Sequence, residues 1–90
     1  MVIWKYPLQG ARLEIEMPVG ARLLAVQMQG TDPCLWALVN PENQRTRRRI
    51  AIYGTGHQMP ADPGRYVGTF QVTLLLGDMV FHVFDQGDGP

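Results

Sequence analysis

Apolar and polar residues alternate along several short stretches of this chain, with the two-residue period of a β-strand. The clearest stretch is 12–17, where Leu13, Ile15 and Met17 are apolar and the other three residues are charged. Successive side chains of a strand point to opposite faces, so the apolar three are predicted to face a core and the charged three to face water.

Strand-like segments follow one another, separated by Gly, Pro, Asn and Asp, which is typical of an all-β domain. The predicted strands are 2–6, 12–17, 22–29, 34–39, 46–53, 66–76 and 79–84. We expect a small antiparallel sandwich or barrel of about six to seven strands. In strand 22–29 the alternation places Leu24, Val26 and Met28 on one face. A helix over residues 20–28 is the alternative, because short apolar runs are ambiguous by periodicity alone.

The chain has the length and composition of one folded domain. Ninety residues cannot maintain two cores, and 46% hydrophobic with 18% charged residues is ordinary for a globular protein. We expect a single β-domain over residues 1–85, closed by a hairpin that turns at Gly77 and Asp78. Residues 86–90, rich in Gly and Asp, are expected to be a flexible C-terminal tail.

Net charge and amino-acid composition argue against several functions. The formal net charge is zero, so we expect no stable binding of duplex DNA. No apolar run is long enough for a secretory signal or a membrane span, and we expect a cytoplasmic protein. The single cysteine, Cys34, cannot form an internal disulfide and is expected to be buried. No zinc-ligand spacing is present, so no metal or cofactor is predicted, and the absence of serine excludes a serine nucleophile.

One predicted strand, 34–39, is apolar on both faces. Such a strand is covered on both sides, either by its own fold or by a second subunit. A homo-oligomer is therefore expected, with Trp36, Leu38 and Trp4 as candidate interface residues.

The most unusual local feature is a cluster of four arginines at positions 45 and 47–49. Alternation along the strand places Arg48 on the core side and Arg47, Arg49 and Tyr53 on the outer side. Two guanidinium groups and one ring match the phosphates and base of a nucleotide. The alternative is a charged strand that prevents edge-to-edge aggregation.

A glycine loop, Gly54-Thr55-Gly56-His57, follows this strand directly. Its two glycines would let backbone amides approach an anion, although the Lys-Ser/Thr pair and the helix of a P-loop are missing. The alternative is a tight turn that requires a glycine. His57 is expected to be exposed, where it would contact a ligand or act as an acid or base.

Several short motifs are distributed over nearly the whole chain: Ile3-Trp4-Lys5-Tyr6-Pro7-Leu8, Ile15-Glu16-Met17-Pro18, Gly20-Ala21, Cys34-Leu35-Trp36-Ala37-Leu38-Val39, Ile52-Tyr53-Gly54-Thr55-Gly56-His57, Gly68-Thr69-Phe70-Gln71 and Phe81-His82-Val83-Phe84. In these motifs the chain resembles an uncharacterised family of small β-rich proteins encoded mainly by bacteriophages and prophages. Small phage proteins often act against host defence, and some sequester the cyclic nucleotides by which bacterial immune systems signal.

Three functional hypotheses follow. The first is a non-enzymatic, oligomeric protein that sequesters a small anionic, nucleotide-like immune signal through Arg47, Arg49, Tyr53 and the 54–57 loop. The second is a protein-interaction module that inhibits a host or phage protein. The third is a small hydrolase that uses His57.

Overall fold

The computed structural model describes residues 1–89 and contains two antiparallel β-sheets. The strands are β1 (Val2–Pro7), β2 (Arg12–Pro18), β3 (Arg22–Gln29), β4 (Asp32–Val39), β5 (Arg45–Gly54), β6 (Arg65–Leu74) and β7 (Gly77–Asp88). The smaller sheet has the order β1-β4-β3, and the larger sheet has the order β2-β5-β7-β6. The all-β prediction is confirmed, and the architecture is the sandwich of the two alternatives. The helix considered over residues 20–28 is wrong, because β3 occupies that stretch.

The core lies between the two sheets and is made of aliphatic side chains from both. Leu35 and Val39 of β4 meet Met17, Ile50 and Val83 of the larger sheet, and all five are at most 1% exposed. Burial of each side chain of this size stabilises the fold by about 1.5–3 kcal/mol. The predicted inward face of β2 is confirmed: Leu13 and Ile15 pack against the same core.

The inward face of β3 differs from the prediction at one position. The pairing register with β4 shifts between Leu23 and Ala25, as it does at a β-bulge. One extra residue reverses the alternation, so Leu23 is 2% exposed in the core while Leu24 is 42% exposed. Val26 and Met28 lie on the core side as predicted.

The final hairpin turns earlier in the chain than predicted. Leu74 pairs with Gly77, which leaves Leu75 and Leu76 as the two turn residues. The turn predicted at Gly77 and Asp78 is therefore wrong, because both residues lie in β7.

Strand β7 also continues past the predicted end at residue 84. It reaches Asp88, which pairs with Arg48 of β5. A register shift between Arg48 and Ile50 and a positive φ of 90° at Gly87 let the strand continue along β5. Residues 86–88 thus belong to the sheet, the flexibility of the 86–90 segment stays a prediction, and Pro90 lies outside the described residues.

Candidate functional site

Three aromatic rings form a row on the outer surface of the four-stranded sheet. The ring of Phe84, on β7, lies 5.9 Å from that of Tyr53 on β5 and 5.7 Å from that of Tyr66 on β6. Both pairs meet edge to face, at 67° and 63° between ring planes, which is a favourable arrangement for aromatic pairs. We call this surface, together with Arg47 and Arg49 on the same outward side of β5, the aromatic face. The two arginines lie six and four residues from Tyr53, about 20 and 13 Å along the strand.

Strand alternation builds the aromatic face. Arg48 and Ile50 are buried, so their β5 neighbours Arg47 and Arg49 point outward, as predicted. Tyr53 lies on the same outer side and is half-buried. Sequence reasoning missed Phe84 and Tyr66, whose contribution depends on which strands pair. The observed register places Phe84 between Ala51 and Tyr66.

A chain of hydrogen bonds on the aromatic face holds His82 in place. The Thr69 hydroxyl lies 3.0 Å from His82 Nδ1 and 2.5 Å from the Tyr66 hydroxyl. On the other side of the ring, His82 Nε2 lies 2.7 Å from Thr55 Oγ1, whose hydroxyl donates to the Val80 carbonyl. With a neutral imidazole, Nε2 is then the donor and Nδ1 the acceptor. Both ring nitrogens of His82 are therefore hydrogen-bonded.

The hydroxyl group of Tyr53, on the same surface, has no hydrogen-bond partner within residues 1–89. This hydroxyl is buried, and a buried hydroxyl left unpaired costs about 1–3 kcal/mol. Tyr66, in contrast, is 55% exposed, and its ring is open to solvent for stacking.

The two outward arginines are exposed and have carboxylates nearby. Arg47 Nη1 lies 3.5 Å from Glu14 Oε2, with 71% and 57% of the two side chains exposed. Arg49 Nη2 donates to the Gln86 carbonyl at 3.3 Å, and the strand register sets Glu14 opposite Arg49 and Glu16 opposite Arg47. Exposed ion pairs contribute only about 0–1 kcal/mol, so an anionic ligand would displace them at little cost.

The 54–57 loop forms a tight turn and does not join the arginines. The His57 amide donates to the Gly54 carbonyl, and the Thr55 amide donates to Val80, so two amides proposed to bind an anion are already engaged. Gly56, at φ 86°, occupies the position of a type II turn that favours glycine. Arg49 and Gly54 are five residues apart on one strand, about 17 Å. Only Thr55, through its side chain, contacts the network on the aromatic face.

His57 instead lines a cavity at the end of the sandwich. The cavity measures about 330 Å³, and Leu8, Pro33, Ile52, Phe70 and Phe81 form most of its wall. The imidazole packs over Gly54, where an added Cβ would lie 3.0 Å from the ring. The structure thus separates the predicted ligand residues into two places: Arg47, Arg49, Tyr53 and Thr55 at the aromatic face, and Gly54 and His57 at the cavity.

Sequence reasoning also missed a buried ion network behind the aromatic face. Arg48 donates from Nε and Nη2 to the two carboxylate oxygens of Asp85 at 2.9 and 3.1 Å, and from Nη1 to Asp88 at 3.0 Å. Its Nη2 also donates to the Ala21 carbonyl. The signal was present in the sequence, because alternation placed Arg48 on the core side, where a cation requires an acid.

The network changes the ionisation of its members. Burial alone would raise the pKa of Asp85, but hydrogen bonds from Arg48 and the Gly87 amide outweigh it, and the pKa is held below its ordinary value. Burial likewise opposes the charge on Arg48, yet Asp85 and Asp88 raise its pKa above the ordinary value. Both groups therefore stay ionised inside the protein at neutral pH.

The three candidate interface residues do not share a surface. Trp4 lies opposite Ala37 and packs against the core, with the Arg45 guanidinium 5.2 Å from its ring centre. Trp36 and Leu38 lie on the other side of β4, facing away from the core. Cys34 is buried, as expected.

Residues 1–89 contain no group of three or more His, Cys, Asp or Glu side chains arranged to hold a metal ion. No helix among them is long and apolar enough to cross a bilayer.

Comparison with protein families identifies one match. The model of a family described as "Domain of unknown function (DUF7352)" covers residues 1–89. The chain belongs to this family. Comparison with curated proteins gives no match, and comparison with solved structures gives none either. The DUF7352 assignment covers the whole sandwich, so the aromatic face and the cavity both lie within the family domain.

Proposed function

We propose that the protein is a non-enzymatic binding protein that captures a nucleotide-like anion on the aromatic face. The observation that carries the proposal is the row of Tyr53, Phe84 and Tyr66 on an open sheet surface that also carries Arg49 and, farther along β5, Arg47. Open antiparallel sheets with exposed aromatic side chains bind unstacked bases, and arginine provides paired donors for phosphate.

The energetics favour a ligand with more than one base. Stacking of one base contributes about 1–3 kcal/mol, and each charge-assisted hydrogen bond contributes about 1.5–3 kcal/mol. One base and one charge-assisted hydrogen bond from each of two arginines sum to about 4–9 kcal/mol before any ordering cost, so they reach the 8 kcal/mol of micromolar binding only near the upper end of this range. A cyclic di- or trinucleotide fits this requirement better than a mononucleotide. The resemblance to phage-encoded proteins favours sequestration of an immune signal as the role.

The test is thermal unfolding and calorimetric titration with cyclic di-AMP, cyclic di-GMP, cyclic tri-AMP, ADP-ribose and AMP. A ligand at 100 times its Kd stabilises by about 2.7 kcal/mol, which raises the Tm of a domain this size by roughly 10 °C or more. Arg49→Ala and Tyr66→Ala should each weaken the binding at least about tenfold, since each removes about 1.5 kcal/mol or more. Arg22→Ala, which removes an exposed arginine from the other sheet, is the matched control.

The absence of any shift across this panel would overturn the proposal. Conversion of a nucleotide to a product, lost in His57→Ala, would instead support the hydrolase hypothesis.

The same face would also suit a protein partner, because tyrosine and arginine dominate binding hot spots. A stoichiometric partner recovered from host lysate, and lost on Tyr66→Ala but not on Arg22→Ala, would support the interaction-module hypothesis.

A further inference from the structure

The outer half of the β6–β7 hairpin, residues 71–80, has an apolar face with little covering it. We call this segment the arm. Val72 and Leu74 lie two and four residues after the buried Phe70 on β6, and Met79 of β7 pairs with Val72. By strand alternation all three side chains point to the core side of the hairpin. Leu74 and Met79 are nevertheless 48% and 42% exposed. An alternating strand with an uncovered apolar side is a surface that requires a partner.

Two exposed leucines form the tip of the arm. Leu75 and Leu76, the two turn residues, are 100% and 99% exposed. Hairpin turns ordinarily use Gly, Asn or Asp, whose conformational preferences suit the turn, and leucine has no such advantage. These two side chains are therefore available for contact with another molecule.

The cavity lined by His57 lies at the base of the same arm. Its wall includes Phe70 and Phe81, which pair across the hairpin, together with Leu8, Pro33 and Ile52. A volume of about 330 Å³ is roughly twice the ~150 Å³ that accommodates benzene in an engineered apolar cavity. The tip cannot fill this cavity in its own chain, because Phe70 and Leu75 are five strand residues apart, about 17 Å.

We propose that a second copy of this chain covers the arm. Two arms pack antiparallel, apolar face on apolar face, and Leu75 and Leu76 of each copy enter the cavity of the other. A two-fold axis at the middle of the arm places the tip of each copy at the cavity of the other, because the distance from tip to base is the same in both copies.

The charge of the arm favours this occupant over a lipid surface. Asp78 is the only charged residue among residues 71–80. Association with anionic lipids requires basic residues near the surface, and the arm has none. The cavity wall, in contrast, is made of the aliphatic and aromatic groups that match leucine.

The test is the oligomeric state of the full chain, measured by sedimentation and light scattering over a range of concentrations. A dimer is expected for the unmodified protein. Leu75→Asp with Leu76→Asp should make it monomeric, because four carboxylates would enter two apolar cavities. Ala11→Trp, which blocks the cavity from an exposed loop position, should have the same effect. Leu24→Asp, at a leucine 42% exposed on β3, is the matched control and should remain dimeric.

A cross-link identifies the contact directly. The double variant Leu75→Cys with Ala11→Cys should form a disulfide-linked dimer under mild oxidation, and neither single variant should do so efficiently. A disulfide within one chain is excluded, because Cα atoms more than about 7 Å apart cannot be bridged.

A monomer at every concentration, or a dimer unchanged by the Leu75→Asp and Leu76→Asp pair, would overturn the proposal. So would a monomer that co-sediments with phosphatidylcholine vesicles through the tip, since this result would assign the leucines to lipid.

Discussion

Arg48 of β5 and Asp85 of β7 face each other inside the sandwich as a bidentate ion pair, with nitrogen–oxygen distances of 2.9 and 3.1 Å. Both side chains are less than a tenth exposed. The pair lies directly behind the strands that carry the aromatic face, and Asp88 extends it to the end of β7. It therefore fixes the register of the two central strands of the larger sheet.

Loss of one partner from this pair should be costly. Arg48→Ala is expected to lower the free energy of unfolding by about 3–5 kcal/mol, because it leaves the Asp85 carboxylate buried without a cation. Arg48→Lys, which keeps the charge but not the bidentate geometry, should have an intermediate effect. Arg47→Ala removes an exposed arginine and should cost no more than about 1 kcal/mol. Urea denaturation followed by circular dichroism measures all three, and equal losses for Arg47→Ala and Arg48→Ala would contradict the expectation.

The pH dependence of stability should follow from Asp85. Its pKa in the folded protein is below the ordinary value, so the unfolded chain binds the proton more tightly. The stabilisation is thus complete above about pH 5, begins to fall near the unfolded pKa of about 3.9, and is lost as the pH falls through the folded pKa. The urea midpoint should therefore decrease between about pH 5 and pH 2.

The matched comparison for this effect is Asp85→Asn, which cannot titrate. The difference in stability between the original protein and this variant should shrink as the pH falls. A difference that stays constant down to pH 2 would show that Asp85 does not carry the effect.

Much of the fold was predictable because strand alternation is a local property. The facing of Leu13, Ile15 and Met17 follows from a strict period of two, and the structure confirms it. The bulge at Leu24 was not predictable, because an extra residue in β3 has meaning only relative to its partner β4. The hairpin turn was misplaced for a related reason: Gly77 and Asp78 have turn composition, but pairing of β6 with β7 sets the turn at two leucines.

Gly64, just before β6, allows the cost of a steric clash to be separated from the cost of backbone strain. Gly64 has φ 100°, and an added Cβ would clash with the Asp85 carbonyl oxygen. Gly56 has a similar φ of 86° with open space around it. Gly56→Ala should therefore cost about 1–2 kcal/mol from strain alone. Gly64→Ala should cost clearly more and disturb the Asp85 pair, as measured by thermal unfolding. Equal costs would mean that β6 moves freely to relieve the clash.

The candidate site was only partly accessible from the sequence. Alternation in β5 correctly placed Arg47, Arg49 and Tyr53 on one face, because residues two apart in a strand share a face, although Arg47 and Tyr53 lie about 20 Å apart along it. The prediction also grouped the glycine loop with them, because it is adjacent in sequence. In an extended strand, however, adjacency places successive segments far apart, and the loop lies at the end of the sandwich. Phe84 and Tyr66 come from strands whose order no local pattern indicates.

Removal of the carboxylate beside the arginines tests the proposed binding face through an expected gain in ligand affinity. Glu14 lies opposite Arg49 and 3.5 Å from Arg47, where it competes with a ligand phosphate. Glu14→Gln removes the competing charge and should strengthen the binding of cyclic dinucleotides up to about fivefold, the equivalent of about 1 kcal/mol for an exposed pair. Glu42→Gln makes the same change of charge in the exposed connection between β4 and β5 and should leave the Kd unaltered. Calorimetric titration at moderate ionic strength measures both. Equal gains in the two variants would mean that net charge, and not the position of the carboxylate on the aromatic face, controls binding.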